Sequence, residues 1–410
     1  MEPKVSVIIP IFNVEDYVEK CLLSVMNQTL FEIEIICIDD ASTDASYEKA
    51  KGCISRDSRF QLFHLPENRG LSYARNYGIR KASGKYIYFL DSDDYLENVT
   101  LEKLVKCAEE LNVQGVFFGA FVEYEDDPDI NEKIEYKDCG KILSGQDFFV
   151  EKNQCNEYQN AVCFQFWKRS YINENNLMFY EGVTYEDTLF TLNALLIADA
   201  VTCINDKFYH YVKRQTSITG RQGKEQLKSY MIVYFEVWKI WMNSKNINEI
   251  SEGIQKRLEV FHRRISMAIG QLGYVPNLQF ESKACQYLYE KIVQIAPDRH
   301  YVEQIDNRKI EILKRKDLVF VYGAGIIADE IIRILEREEV KISGIIVTKK
   351  DEDLKQYKGY SVFELKEIEN RQGMVGVVPG LSKRYHEKIK MFIKNIGYEW
   401  IDVLGSSEKE

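Results

Sequence analysis

The sequence predicts an α/β protein in three parts: a doubly wound domain over 1–216, a helical region over 217–315 and a smaller α/β domain over 316–410. Three observations lead to this prediction. Apolar strand-like runs alternate with helix-spaced runs through the first hundred residues or so. Helical spacing then prevails from about 217 to 315, with few strand runs. Strand and helix signals alternate again from DLVFVYGAGIIADEIIRILEREEV onward.

The N-terminal domain opens with KVSVIIPIF, a nearly continuous apolar run typical of a central parallel strand, followed by the helix EDYVEKCLLSVMNQ. The strands EIEIICIDD, FQLFHLP and YIYFLDSDD come next, separated by the helices DASYEKAKGCI and GLSYARNYGIRKA, the second of which is stopped by Gly84. The domain continues through the runs GVFFGAFVEYEDD and AVCFQFWKRSYI to a helix that opens at TYEDTLFTLNALLIAD.

Polar residues follow the predicted parallel strands at the points where the strands end. They are Asp39 and Asp40 after the second strand, Asn68 after the third, and the acidic run from Asp91 to Asp94 after the fourth. A doubly wound sheet binds its ligands beyond the carboxyl ends of its strands. The sequence therefore predicts a ligand site at this edge of the sheet.

The fourth strand ends in three carboxylates, those of Asp91, Asp93 and Asp94. Two carboxylates about 4 Å apart repel by roughly 4 kcal/mol at an effective dielectric constant of ~20, which is a large share of a domain's stability. Either water reaches this cluster or a cation neutralises it. A D-x-D sequence in such a sheet suits Mg²⁺ or Mn²⁺ bound with a sugar diphosphate, because these ions prefer oxygen ligands. The alternative is a surface loop of solvated acids.

Five stretches of the first 220 residues or so resemble the family-2 glycosyltransferases, which have a GT-A fold. They occur in the family's order: VSVIIPIFN (5–13), QTL and EIICIDDASTD (28–44), ENRGLSYARNYGI (67–79), GKYIYFLDSDD (84–94) and YEDTLF (185–190). The resemblance implies a GT-A-type, Rossmann-like N-terminal domain. It also implies an inverting, metal-dependent glycosyltransferase of the hexosyltransferase type, acting in bacterial surface polysaccharide or wall glycopolymer assembly.

The resemblance further implies a donor site for a nucleotide sugar. Pro10 and Phe12 would line the nucleoside, and Asp40 would accept a hydrogen bond from the base, which suits the imide N–H of uracil and hence a UDP sugar. Four further residues would lie at the nucleotide sugar, with the arginine on the diphosphate side: Asn68, Arg75, Asp91 and Ser92. Asp93 would bind Mn²⁺ or Mg²⁺, with Asp94 behind it.

The same resemblance makes Asp187 the general base that takes the proton of the acceptor hydroxyl, with Glu186 as its alternate. A carboxylate is basic enough, because the hydroxyl loses its proton only as the new bond forms. From the residues alone another interpretation stays open. Thr184 followed three residues later by Asp187 also resembles the capping box that opens many helices.

The segment YHYVKRQTSITG resembles the family segment that folds over the diphosphate. On this basis Arg214 and Ser217 would stabilise the departing nucleoside diphosphate. His210 either contacts metal or phosphate or packs among its aromatic neighbours.

The helical region is basic in an otherwise acidic chain. We expect the part that includes KRLEVFHRRI to face an anionic acceptor, such as a lipid-linked pyrophosphate oligosaccharide or a phosphate-containing wall polymer, at the inner membrane surface. The glycan, polyol-phosphate or lipid-linked acceptor is otherwise open. An aromatic stripe at helical spacing is either core or a binding face: Tyr230, Tyr234, Trp238 and Trp241.

The C-terminal domain begins with VYGAGIIADEI, which has the strand, G-x-G-x-x-A turn and helix of a dinucleotide-binding unit. Val347 and Thr348 stand where an acidic residue should meet the ribose, so we expect no NAD binding. The segment looks like the small Rossmann-like modules of sugar-modifying enzymes. Docking or homo-oligomerisation is therefore the expected role.

Composition excludes several classes of function. A net charge of −10 argues against nucleic acid as a partner, and nine cysteines without a C-x-x-C pair disfavour a zinc site or a disulfide framework. No apolar run approaches the ~20 residues that span a bilayer, and the N-terminus does not resemble a secretory leader. We expect a cytoplasmic protein, peripheral at the inner face of the membrane through the basic stretch 213–316.

Two other functions are alternatives to glycosyl transfer. One is a non-catalytic protein that binds sugar nucleotides or assembles a complex, but such a chain would not need both the D-x-D aspartates and the Glu-Asp pair. The other is a nucleotidyltransferase, which should have a Gly-rich phosphate loop after the first strand, where this chain has PIFNVEDY.

Overall fold

The computed structural model describes most of the chain. The described residues are 2–55, 57–125, 132–213, 223–243, 248–272, 276–295, 307–324, 326–348, 355–369, 371–380 and 386–403. Contacts divide the chain into two compact units, Met1–Ile292 and Val293–Glu410. The three-part division at 216 and 315 remains our proposal for the domains. Among the described residues, no helix has both the length and the apolar character that crossing a bilayer requires.

The first unit contains a mixed α/β arrangement followed by helices. Its elements are β1 (Val5–Ile11), α1 (Val18–Met26), β2 (Ile33–Asp39), α2 (Ser46–Ile54), β3 (Phe60–His64), α3 (Leu71–Lys81), β4 (Tyr86–Phe89), β5 (Tyr95–Leu96), α4 (Thr100–Leu111), β6 (Gly115–Tyr124), β7 (Glu132–Ile134), α5 (Gly145–Gln154), β8 (Gln165–Lys168), α6 (Arg169–Glu174), α7 (Glu186–Ile197), β9 (Val201–Lys213), α8 (Lys224–Asn243), α9 (Asn248–Leu272) and α10 (Lys283–Ile295), which continues just past the boundary.

The main sheet has the order β3-β2-β1-β4-β8-β6-β9-β5, and β7 pairs with β6. β1 to β4 run parallel, with Ile11 opposite Asp39 and Asp39 opposite His64. Their carboxyl ends therefore lie at one edge, as the sequence predicts. β8 reverses direction against β4 and β6, which makes the sheet mixed.

Helices cover both faces of the parallel strands. The odd-numbered residues of β1 pack in one core with α1 and α4, through Leu22, Val25 and Leu104 among others. α3 lies on the opposite face, where Gly78 approaches Ile8 so closely that an added Cβ would stand 2.4 Å from its Cγ2. This close approach brings the preceding turn of α3 close to the sheet.

Two elements near the acidic run are absent from the sequence prediction. α4 follows it, and the two residues of β5 pair with β9, far along the chain, with Tyr95 opposite His210. A two-residue strand is made by long-range pairing and leaves no periodic signal of its own. α3 also ends at Lys81, three residues before Gly84, because Ala82 turns to an extended conformation.

The helices α8 and α9 belong to the first unit and pack on α7 and α5. Tyr230 is buried, and Trp241 Nε1 donates a hydrogen bond to Ser251 Oγ at 2.8 Å. Tyr234 lies beside His262, and Trp238 stacks on Phe235. The contacts of the aromatic stripe described here are therefore packing contacts, within α8 for Trp238 and between helices for Tyr234 and Trp241.

The second unit is a smaller doubly wound sheet. Its elements are α11 (Asn307–Lys314), β10 (Leu318–Tyr322), α12 (Ile326–Arg337), β11 (Gly344–Val347), β12 (Gln356–Tyr357), β13 (Tyr360–Glu364), α13 (Leu365–Ile368), β14 (Val375–Pro379), α14 (His386–Asn395) and β15 (Glu399–Trp400). The strand order is β12-β13-β11-β10-β14-β15, with parallel pairing except between β12 and β13. This order agrees with the predicted Rossmann-like domain.

Candidate active site

A single buried guanidinium, that of Arg75 on α3, joins three carboxylates. Its Nη1 donates to Glu186 Oε1 at 2.6 Å and to Asp187 Oδ1 at 2.7 Å, and its Nη2 donates to Asp91 Oδ1 at 2.7 Å. Asp91 follows β4, whereas Glu186 and Asp187 begin α7. Arg75 thus holds the D-x-D segment and the Glu-Asp pair against each other. We refer to these four residues as the arginine cluster.

The neighbouring residue on α3, Asn76, holds the loop that leads into α7. Its Oδ1 accepts from the backbone N–H of Phe179 at 2.8 Å, and its Nδ2 donates to the Phe179 carbonyl at 2.9 Å and to Glu181 Oε1 at 3.0 Å. The Phe179 ring stacks on Phe190 of α7. Two successive residues of α3 therefore position the catalytic candidates and their loop.

The arginine cluster carries one positive charge against three carboxyl groups. Burial, together with the nearby Asp187, raises the pKa of Glu186 to about 7, although Arg75 opposes the shift. Burial likewise raises the pKa of Asp187, and here Arg75 is the main opposing influence. The Asp187 side chain is 18% exposed, whereas that of Glu186 is only 6% exposed. Asp187 is therefore the better placed of the two to meet a substrate.

The helix-capping alternative for this segment is wrong. α7 begins at Glu186 after Tyr185, and no side chain caps it. Thr184 Oγ1 is buried and, within the described residues, has no hydrogen-bond partner. Asp187 instead uses Oδ1 for Arg75, while its Oδ2 accepts only a long bond of 3.3 Å from the backbone N–H of Val162.

The D-x-D loop is anchored to β9 through Asp94. This buried carboxylate accepts from the Tyr209 hydroxyl at 2.5 Å and from the backbone N–H of Val212 at 2.7 Å. Burial first, then the charges of Asp93 and Asp91, raises the pKa of Asp94. Ser92 is buried as well, whereas Asp93 is half-buried. Asp93 is thus the member of the loop best placed to face a ligand.

His210 packs in the aromatic cluster that the sequence analysis gave as one alternative. Its ring stacks on Tyr95 with centroids 4.2 Å apart, and its two nitrogens lie 2.8 Å from Glu123 Oε1 and Glu97 Oε1. These contacts tie β5, which leaves the D-x-D loop, to β9. His210 therefore stabilises the position of the D-x-D loop.

A cavity of about 460 Å³ opens beside Asp93. Its lining includes Asp93 and Asp94 from the loop, Glu123 and Glu125 from the end of β6, and Lys20 from α1. No three His, Cys, Asp or Glu side chains of the described residues are grouped so as to hold a metal ion. Mg²⁺ commonly takes only one or two carboxylates and completes its shell with water and substrate phosphate, and Asp93 fits that kind of site.

On the nucleoside side, Pro10 is buried within β1 and Phe12, just beyond it, is 41% exposed. Asp40 is buried, and its two oxygens accept from the backbone N–H groups of Arg69 at 2.8 Å and Gly70 at 2.7 Å. A carboxylate oxygen can accept a second bond, so these contacts leave capacity for a base N–H. Asn68, in the same loop, is exposed.

Two predicted donor residues, Arg214 and Ser217, lie outside the described residues. Arg75 was expected on the diphosphate side. In the structure its buried guanidinium contacts the carboxylates of Asp91, Glu186 and Asp187. Asn76 and the Val162 backbone were not predicted. Asn76 lies within the motif ENRGLSYARNYGI and could have been predicted from it. A contact made by a backbone N–H gives no signal in the sequence.

Comparison with known proteins identifies what this arrangement resembles. The model of the family described as glycosyl transferase family 2 matches residues 6–175. Bacillus subtilis EpsJ, named an uncharacterized glycosyltransferase, is 32% identical over 56% of this chain and 67% of its own length. Glycosyltransferase GlyG of Streptococcus pneumoniae is 31% identical over 53% of this chain and 73% of its own length.

A longer match is to TarP of Staphylococcus aureus, named a poly(ribitol-phosphate) beta-N-acetylglucosaminyltransferase. It is 26% identical over 80% of this chain and 99% of its own length. Among solved structures, S. aureus TarS 1–349 in complex with UDP-GlcNAc superposes with a TM-score of 0.54 at 18% identity, covering 73% of this chain and 82% of that one. This second likeness is one of fold, and it confirms the predicted GT-A-type α/β fold.

Replacing Arg75 with methionine should destabilise the protein strongly. The change leaves three buried or half-buried carboxyl groups without their cation, and breaking a buried ion pair from one side costs about 3–5 kcal/mol. We expect a loss of that size in the free energy of unfolding by urea. Arg80→Met, on the exposed side of the same helix, is the control. Equal stability of the two variants would contradict the assigned contacts.

Glu186 should make stability depend on pH. Its pKa is about 7 in the folded protein against an ordinary 4.5, so the folded state binds the extra proton and stability falls as pH rises from about 4.5 towards 7. Glu186→Gln mimics the protonated form and should flatten this fall, and at pH 8 it should be at least as stable as wild type. Thermal unfolding from pH 5 to 8 measures this, with exposed Glu19→Gln as control. A slope unchanged by Glu186→Gln would refute the assignment.

Proposed function

The chain belongs to glycosyltransferase family 2 and is a glycosyltransferase, and from that premise we propose that it transfers a sugar from a UDP sugar to an acceptor hydroxyl with inversion. The observation that carries this proposal is the arginine cluster. In this cluster the Arg75 guanidinium contacts both Asp187, a partly exposed carboxylate, and Asp91 of the D-x-D segment. The proposed base and the proposed donor-binding segment thereby contact the same guanidinium.

Asp187 would act as the general base. As the acceptor oxygen forms its bond to C1 of the sugar, Asp187 takes the hydroxyl proton, and the bond from C1 to the diphosphate oxygen breaks with its electron pair leaving on the nucleoside diphosphate. Oδ1 is held by Arg75, so Oδ2, with only its long bond to Val162, is the oxygen available to the proton. Attack from the base side, opposite the leaving group, inverts the configuration.

The donor would lie along the carboxyl ends of β1, β2 and β4. Phe12 offers an exposed ring to the nucleoside, and Asp40 an acceptor to the uracil imide. Asp93 would hold Mn²⁺ or Mg²⁺, which when bound neutralises the diphosphate as it leaves. Arg214 and Ser217 would support the same leaving group from the segment after β9.

The pathway we propose is assembly of a surface polysaccharide or a wall glycopolymer. TarP, to which most of this chain aligns, is named for N-acetylglucosamine transfer to poly(ribitol-phosphate), and this supports an acceptor of the same general kind. Contact with the inner membrane surface through the basic stretch 213–316 is part of the proposal. For the second unit we propose docking or homo-oligomerisation.

Asp187→Asn should separate catalysis from binding. Asparagine keeps a hydrogen-bonding side chain at the start of α7 but cannot accept the proton, so turnover should fall by about 10²–10⁴-fold. UDP binding should stay near the wild-type value. Sugar transfer and calorimetric titration with UDP measure the two. Asp199→Asn, an exposed residue just beyond α7, is the matched control. Normal turnover in Asp187→Asn would remove the base from the mechanism.

Asp93→Ala should abolish the part of UDP binding that depends on metal. The neighbouring Asp94 is engaged by Tyr209 and Val212 and does not replace the lost carboxylate. Titration with UDP in Mn²⁺ and in EDTA should differ for wild type and coincide for the variant. The same removal at exposed Asp206 is the control. If Asp93→Ala kept the Mn²⁺ response, another group would be the metal ligand.

A further inference from the structure

Two arginines on one face of α9 lie beside tyrosine rings and, among the described residues, have no carboxylate partner. Arg257 and Arg264 are two helical turns apart. The Arg264 guanidinium carbon lies 4.3 Å from the ring centroid of Tyr185, and that of Arg257 lies 5.1 Å from the ring of Tyr158. Neither forms an ion pair with any residue in the part of the chain that the structure describes.

Both tyrosines belong to chain segments that reach Asp187. Tyr185 stands two residues before Asp187, in a left-handed conformation with φ +70°. Tyr158 begins the segment whose Val162 N–H donates to Asp187 Oδ2. In the same segment the Asn160 side chain donates to Thr188 Oγ1 at 3.1 Å, so the segment runs along the start of α7. Arg264 therefore lies over the residue that leads into the Glu-Asp pair, and Arg257 lies over the start of the segment that contacts Asp187.

The pair is an unfavourable arrangement unless something anionic completes it. Arg257 is half-buried, and its buried Nε has no partner among the described residues. Burial, together with the charge of Arg264, lowers the pKa of Arg257. Stacking on a tyrosine ring satisfies the face of a guanidinium but leaves its in-plane N–H donors unused. Those donors match the oxygens of a phosphate group in geometry and charge.

The charge of the arginine cluster would disfavour an anionic acceptor unless further cations lie nearby. It presents more negative than positive charge, so an anionic acceptor approaching Asp187 would be repelled. Two positive charges on the same side offset that repulsion for a phosphate-bearing acceptor and give a neutral one no advantage. The positive charges of Arg257 and Arg264 thus have a specific place of action, at the segments that reach Asp187.

We propose that Arg257 and Arg264 bind a phosphate group of the acceptor and so hold its neighbouring hydroxyl at Asp187. This inference rests on the proposed glycosyl transfer and names the acceptor class for the same site: a polyol or sugar that carries phosphate. The phosphate belongs either to a soluble polyol-phosphate chain or to a lipid-linked sugar pyrophosphate. Tyr185 and Tyr158 fix the two guanidinium planes.

The test compares a phosphate-bearing probe with its neutral counterpart. Wild type, Arg257→Gln, Arg264→Gln and Arg264→Lys are titrated with a short glycerol phosphate oligomer and with an uncharged oligoglycerol of similar length, in which ether links replace the phosphodiesters. We expect the Gln variants to bind the phosphate-bearing oligomer at least tenfold more weakly and Arg264→Lys to lie between. Binding of the neutral oligomer should be the same in all. Arg263→Gln, which removes an exposed positive charge from the same helix, should match wild type.

Vesicles that contain a polyprenyl pyrophosphate sugar form the second arm. If wild type binds these vesicles but not the soluble oligomer, and the Gln variants lose vesicle binding, the inference is supported and the phosphate is that of the lipid. Equal weakening towards both oligomers would show a purely structural role and overturn it, as would unchanged binding throughout. Thermal unfolding identifies a Gln variant that fails to fold, in which case Arg264→Lys decides. If wild type hydrolysed no UDP sugar, the proposed function would be contradicted, and this result does not depend on the titrations.

Discussion

The site depends on one interaction, the contact of the buried Arg75 guanidinium with Asp91, Glu186 and Asp187. The three acids would repel one another in a poorly solvated space, and Arg75 is the charge that lets them meet. Because Arg75 lies on α3, which is packed closely on β1 at Gly78, the sheet itself fixes where the carboxylates stand. Burial and the neighbouring charge of Asp187 raise the pKa of Glu186 to about 7, and Asp187 is the more accessible of the two carboxylates and the one that we propose as the base.

Much of this could be predicted from the sequence, because parallel strands deliver their polar ends to one edge. Asp40, Asp91 and Asp93 follow directly from that rule together with the family resemblance. The partners of Arg75 do not, since Glu186 and Asp187 lie 111 and 112 residues away along the chain. An arginine on a helix gives no local sign of whether it meets phosphate or carboxylate. The short β5, made by pairing with β9, escapes prediction for the same reason.

The helical region shows what composition predicts and what only the structure identifies. The excess of Lys and Arg predicts an anionic partner, but not which residues would meet it. In the structure Arg257 and Arg264 lie over Tyr158 and Tyr185, in segments that reach Asp187, whereas Arg263 is exposed. Tyr185 connects this region with the active site, since it contacts Tyr230, Phe261 and Arg264 and directly precedes the Glu-Asp pair. The helical region thereby contacts the residue that leads into the Glu-Asp pair.

The central claim, that Arg75 acts in catalysis by positioning Asp187, is tested most directly by a double-mutant cycle on kcat. Arg75→Lys keeps the charge but loses the fork that spans the carboxylates. In the wild-type background it should slow transfer by roughly 10²-fold, the effect of misplacing a catalytic group. In the Asp187→Asn background it should slow the residual rate little further, because the group it positions is already inactive. The same factor in both backgrounds would mean that Arg75 and Asp187 act independently, and the account would be contradicted.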